Sequence, residues 1–187
     1  SHISVGHKYN LWCYSEIKNI PENISICDAS KILPKNDIFS YKVGAGKGSV
    51  SAFSNIFRYK LLSDRGGWWV DTDVVAIKPF DFNEEYVFAS ESLKEGGFCP
   101  TTCVIRVPPS SKIIQNCYEI SQLHNKEKLE WSTIGPKLLT ICLNKFKELK
   151  IFIKEPKVFC PIHWFEIDNS LIINRYIDLS SSHSVHL

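Results

Sequence analysis

A chain of 187 residues is long enough for one domain with a real core and short for two. Its content is 44% hydrophobic and 22% charged, the proportions of an ordinary globular protein. A net charge of +2, a pI near 8.1 and no run of five like charges exclude the basic surface that a nucleic-acid or anionic-membrane partner requires. No apolar run approaches the roughly 18 residues of a membrane span, and no signal-peptide pattern opens the chain.

In chain order, the aromatic-rich stretch 8–15 (KYNLWCYS) reads as a strand, and 23–27 as a second, with Asp28 capping a brief helix through Leu33. The stretch 43–49 (VGAGKGS) is a glycine-containing loop that lacks the spacing of a phosphate-cradling P-loop. From Val50 the period becomes helical: Val50, Phe53, Phe57 and Leu61 form one stripe, and Gly66-Gly67 stops the helix. Residues 68–70 form a buried strand, followed by strands over 74–77, 86–90 and 104–107, with Pro79 as a stop. Amphipathic helices are predicted over 110–124 and 135–150, and a strand over 151–153. Alternation of strands and helices predicts an α/β layered domain with a mostly parallel sheet, whose ligands sit beyond the carboxyl ends of the strands.

Seven cysteines, Cys13, Cys27, Cys99, Cys103, Cys117, Cys142 and Cys160, are an odd number without any C-x-x-C. They read as buried free thiols of a cytoplasmic protein, and their spacing gives no zinc motif. The chain has no methionine, not even at position 1, which reads as a trimmed piece of a longer product.

Chemistry concentrates in residues 53–75, FSNIFRYKLLSDRGGWWVDTDVV. Asp71 and Asp73 are two apart at the end of an apolar strand, so period two places both carboxylates on one side, with Cα atoms about 6.6 Å apart if extended. Two such carboxylates repel unless a cation lies between them, and hard oxygen ligands suit Mg²⁺ or Mn²⁺ completed by phosphate oxygens. On the preceding helix Asn55 and Arg58, three apart, share a face off the Val50/Phe53/Phe57/Leu61 stripe. An arginine beside a diphosphate makes paired, charge-assisted hydrogen bonds. Trp68 reads as core; Trp69 is open between core and pocket wall. Glu91, at a strand end, reads as a surface carboxylate unless it faces the site, and His163 and Trp164 read as packing.

This segment resembles the D-x-D region of the glycosyltransferase sugar-binding family, which includes initiating α-1,6-mannosyltransferases and bacterial capsular polysaccharide enzymes. That pattern is S-D-x-x-R-Y, apolar residues, G-G, an aromatic and D-x-D. Here it stands as Ser54-Asn55-Ile56-Phe57-Arg58-Tyr59, then Gly66-Gly67-Trp68-Trp69-Val70-Asp71-Thr72-Asp73. Thr133-Ile134-Gly135-Pro136, residues 159–164 (FCPIHW) and the closing Ser184-Val185-His186-Leu187 resemble later pieces of the family in the same order.

The resemblance implies a GT-A-type, Rossmann-like catalytic domain over residues 1–187, with a mostly parallel central sheet flanked by helices. It implies transfer of a hexose or hexosamine from a UDP- or GDP-sugar to a carbohydrate hydroxyl, with retention and with Mn²⁺ or Mg²⁺. Asp73 and Asp71 would hold the metal, joined by His186. Arg58 would serve catalysis with these aspartates, and Asn55, Arg58, Tyr59, Gly67, Trp69 and Asp71 would bind the donor. Three departures are visible. Asn55 replaces the family's aspartate, and the family's first strand would precede Ser1. Its terminal Trp-Asn would follow Leu187. The alternative is a truncated, inactive homologue that binds a sugar nucleotide or glycan without turnover, and a missing N-terminal anchor would place the protein in the Golgi lumen. Haloacid-dehalogenase phosphatases also carry D-x-D after an apolar strand, but with a threonine two residues on, where this chain has Val75.

Overall fold

The computed structural model describes residues 7–166 and 177–187. Strands β1 (Tyr9–Cys13) and β2 (Ile24–Asp28) pair in parallel, Tyr9 opposite Ile24. Asp28 then caps a single 3-10 turn, accepting from the Ser30 amide at 2.9 Å. Helix α1 (Ser51–Arg65) leads into β3 (Gly67–Val70), and after a turn into β4 (Val74–Ala76). Strands β5 (Val87–Ser92) and β6 (Phe98–Val107) follow, then helices α2 (Lys112–Gln122) and α3 (Pro136–Lys145). The short helix α4 (Pro156–Phe159) and strand β7 (Ser184–His186) complete the order.

The described ladders form three sheets: β1–β2; β3–β6–β5, antiparallel throughout with β6 central; and β4–β7, also antiparallel. Parallel pairing of named strands is thus confined to β1–β2 among the described residues. Strands β5 and β6 are joined by a tight reversal through Gly96 and Gly97, both at positive φ, and so short a connection permits only antiparallel pairing. Among the described residues no helix is long and apolar enough to cross a membrane.

The three-stranded sheet is covered on both faces, by a large core on one and a smaller aromatic core on the other. Period two sorts β3: Trp69 joins the large core with Phe57 of α1, while Trp68 and Val70 join a smaller aromatic core with Phe80 and Phe159. The large core also takes Ile105 and Val107 of β6, Ile113 and Ile114 of α2, and Leu138, Leu139, Cys142 and Leu143 of α3.

The α1–β3 reversal depends on Gly66. Its φ is +61°, and a Cβ there would meet the Pro109 nitrogen at 2.3 Å. Any side chain would push the sheet away from the helix at the point where β3 begins.

Several expected elements differ. Val50 caps α1 from an exposed position instead of lining the core, because α1 is buried on nearly every side and needs no single stripe. The helix expected over 135–150 stops at Lys145, where Phe146 turns to φ −103°, ψ 64°, and a 3-10 segment runs from Lys147 to Phe152. In place of the strand over 151–153 there is one isolated bridge, Phe88 to Ile153. Strand β6 begins at Phe98, six residues before the expected start, and passes through Pro100, a residue that argues locally against a strand. Trp164 is more than half exposed, edge-on to Phe165, so it is not core packing.

Candidate metal centre and adjoining cleft

The β3 ladder runs one bond beyond the strand, the Asp71 amide donating to the Cys103 carbonyl at 2.8 Å. The chain then turns, the Val74 amide returning to the Asp71 carbonyl at 3.1 Å. Asp71 and Asp73 therefore converge through a turn and not through the strand period expected from their spacing. Asp71 keeps the side of Trp69, toward α1, while Asp73 projects outward.

Asp71 is fixed from below. Its Oδ1 accepts from Arg58 Nη2 at 2.6 Å and from Trp69 Nε1 at 2.5 Å. The Arg58 guanidinium also lies 4.8 Å from the Trp69 ring centroid, a cation–π contact. Arg58 is 3% exposed and bonded through Nη1 to Asn55 Oδ1, which also accepts from the Thr102 hydroxyl at 3.3 Å. The Nε–H of Arg58 is buried without a hydrogen-bond partner. A buried guanidinium is costly, and here one carboxylate, one amide and one indole face share its compensation.

Asp73 is held differently. Its side chain is 56% exposed, and its Oδ1 lies 3.6 Å from His186 Nε2. His186 reaches it on β7, which pairs with β4 in the register Val74 to His186, and the Leu187 amide donates to the Asp73 carbonyl at 3.1 Å. Ligand atoms of Asp71, Asp73 and His186 all lie within 4.8 Å of one another. An ion holding ligands at about 2.1 Å spaces them roughly 3 Å apart when adjacent and 4.2 Å when opposite, so this set is of a size to close on one. Two carboxylates and an imidazole suit Mn²⁺ better than Mg²⁺, which favours all-oxygen shells.

His186 has a second neighbour that its place in the sequence does not suggest. Its pKa is raised to about 9, first by its hydrogen bond with Cys103 and then by the charges of Cys103, Asp73 and Asp71, with burial opposing. The Cys103 thiol is itself pushed well up, by the Cys160 sulfur and by burial. It therefore stays protonated through neutral pH, and the two carboxylates are what favours the imidazolium there. Glu91, at the end of β5, is half-buried, and burial lifts its pKa while the positive His186 pulls it down. It faces this site more closely than a surface carboxylate would.

A cleft of about 670 Å³ opens beside the aspartates. Tyr9 and Trp12 of β1, Arg58 of α1, and Trp69, Asp71 and Asp73 line it. Burial raises the pKa of Tyr9, and the Asp71 charge adds to this. Of the expected donor residues, Arg58, Trp69 and Asp71 reach the cleft; Asn55, Tyr59 and Gly67 are not on its wall. Tyr59 is fully buried and donates to the Gly135 carbonyl at 3.3 Å. Asn55 is sealed between Arg58, Thr102 and Gly135, so that a Cβ on Gly135 would meet its amide at 3.0 Å. Asn55 thus holds Arg58, Tyr59 ties α1 to the turn at Gly135, and neither side chain lines the cleft.

No protein-family model matches the chain, and a search of curated proteins finds no match either.

Proposed function

We propose that this chain is the catalytic domain of a metal-dependent glycosyltransferase, moving a hexose or hexosamine from a UDP- or GDP-sugar to a carbohydrate hydroxyl with retention. The observation that carries the reading is the convergence of Asp71, Asp73 and His186 at the mouth of a cleft walled by Tyr9, Trp12, Trp69 and Arg58. Aromatic walls suit a flat base and a sugar ring, and a fixed arginine suits a diphosphate. The motif order of the D-x-D family supports the same conclusion, and with it a GT-A-type domain, while the unpaired cysteines support a cytoplasmic location, the alternative being a luminal one behind an anchor.

Asp71, Asp73 and His186 would hold Mn²⁺ or Mg²⁺. When bound, the ion supplies positive charge against the diphosphate leaving group, worth several kcal/mol in such reactions. Asp71 would have Oδ2 left to offer it, since Oδ1 accepts from Arg58 and Trp69. Arg58 holds Asp71 in place through its Nη2–H, which donates to the carboxylate. The cleft orients the donor, and that orientation supplies much of the remaining acceleration.

The test is calorimetric titration of UDP- and GDP-sugars with and without Mn²⁺, on the chain and on Asp73→Ala. Metal-dependent binding of one nucleotide class, lost in the variant, is expected. Absence of binding in both sinks the reading. Binding without hydrolysis or transfer selects the non-catalytic sugar-nucleotide binder, which the neutral Asn55 in place of an aspartate would favour.

A further inference from the structure

Behind the carboxylate site lies a second donor set. Cys103, midway along β6, and Cys160, just after α4, bring their sulfurs to 3.6 Å, and a His186 ligand atom lies within 4.8 Å of both. The two cysteines are buried, at 1% and 3% exposure, and neither is in a disulfide.

We propose that Cys103, Cys160 and His186 form a site for a thiophilic divalent ion of the Zn²⁺ type, and that this ion competes with the carboxylate site for His186. The soft site itself is independent of the transferase reading; only its effect on the carboxylate ion rests on it.

Three observations carry this. Two thiolates on one tetrahedral zinc, each at about 2.3 Å, stand roughly 3.8 Å apart, so the sulfurs need to move only a few tenths of an ångström. The donors are chemically sorted: two sulfurs select Zn²⁺ or Cu⁺, whereas Asp71 and Asp73 select Mn²⁺ or Mg²⁺. The third is access. The cysteines are sealed on the core side, but His186 is 26% and Asp73 56% exposed in their side chains, so an ion enters past the carboxylate. On binding, both thiols and the His186 imidazolium release their protons to solvent, and Zn²⁺ with two thiolates and a neutral imidazole carries no net charge, which suits a buried position. A neutral imidazole has one free lone pair, so His186 serves one ion at a time.

Co²⁺ titration of the protein, kept reduced with a phosphine, tests the site. One equivalent should give a near-ultraviolet thiolate-to-cobalt charge-transfer band with visible transitions of tetrahedral intensity, displaced by Zn²⁺. Cys160→Ser and His186→Ala should weaken Co²⁺ binding at least about tenfold, while Cys13→Ser leaves it intact. No band at stoichiometric Co²⁺, or a band that survives both first variants, overturns the proposal. Circular dichroism checks the fold of Cys160→Ser, and should it unfold, the half-exposed His186→Ala decides. Mn²⁺ paramagnetic resonance separates the two readings: a cobalt band without Mn²⁺ binding keeps the soft site and removes the carboxylate one, and the reverse removes the soft site alone. Where both exist, equimolar Zn²⁺ should release Mn²⁺ from the wild type and not from Cys160→Ser.

Discussion

The two aspartates are two residues apart and belong to different halves of the molecule. Asp71 is tied to the large core: its carboxylate neutralises a buried arginine on α1 and accepts an indole N–H. Asp73 belongs to the smaller aromatic half, where its partners are the His186 ring and the Leu187 amide. One carboxylate is part of the fold's internal charge balance, and the other is available to an incoming ion. Adjacent residues of one motif can thus differ in whether their loss unfolds the protein or only empties a site.

Substitution separates them. Asp71→Ala leaves the Arg58 charge buried and unpaired, and a loss of about 3 kcal/mol in urea denaturation is expected, a little relieved by the partial exposure of Asp71. The same variant with Arg58→Met should recover part of that loss. Gly66→Ala, which sets the start of the strand feeding both aspartates, should cost about 2 kcal/mol from its positive φ and its clash with Pro109. Asp73→Ala should stay within about 0.5 kcal/mol of wild type while abolishing Mn²⁺ binding; an equal destabilisation by both aspartate variants would erase the contrast.

Acidity gives a finer probe on the Asp73 side. With metal chelated, His186 binds its proton more tightly folded than unfolded, its pKa moving from 6.5 to about 9. Its contribution to stability is full below pH 6.5 and is lost as pH rises through about 9. A chemical-denaturation series over that window should show stability falling, with a flatter profile for His186→Gln. A modest effect is expected for Asn55→Asp. Oδ1 already accepts from Arg58 and Thr102, so the change is near-isosteric, and stability should shift by about 1 kcal/mol or less. Under the proposed function its measurable consequence is a changed affinity for a sugar nucleotide, since a second carboxylate then shares Arg58 with Asp71.

Helix α1, the glycine reversal, β3 and the D-x-D were legible because each is written in local signals: a helical period, two glycines, an apolar run. The burial of Asn55 and Arg58 was not. Polar residues on a helix normally mark its wet face, and here they satisfy one another inside the core. Strand β6 was cut short by Pro100, whose missing N–H is tolerated near the strand's end. The Cys103–Cys160–His186 cluster had no sequence signature, since zinc motifs are recognised by close spacing and these donors meet only through β6, α4 and β7. His186 was picked out by resemblance, and β7 itself, three residues long, gives no periodic signal.

The pairing of β4 with β7 joins residues 74–76 to 184–186, one of the longest separations in the chain. Contacts of that kind form late, after local helices and hairpins have closed. During synthesis, α1, β3 and both carboxylates leave the ribosome long before the histidine that joins them. Through that interval Asp71 already has a counter-charge, because Arg58 lies on the helix just before it. The nascent half can therefore collapse without waiting for the last strand, and Asp71, Asp73 and His186 come together only once β7 has docked.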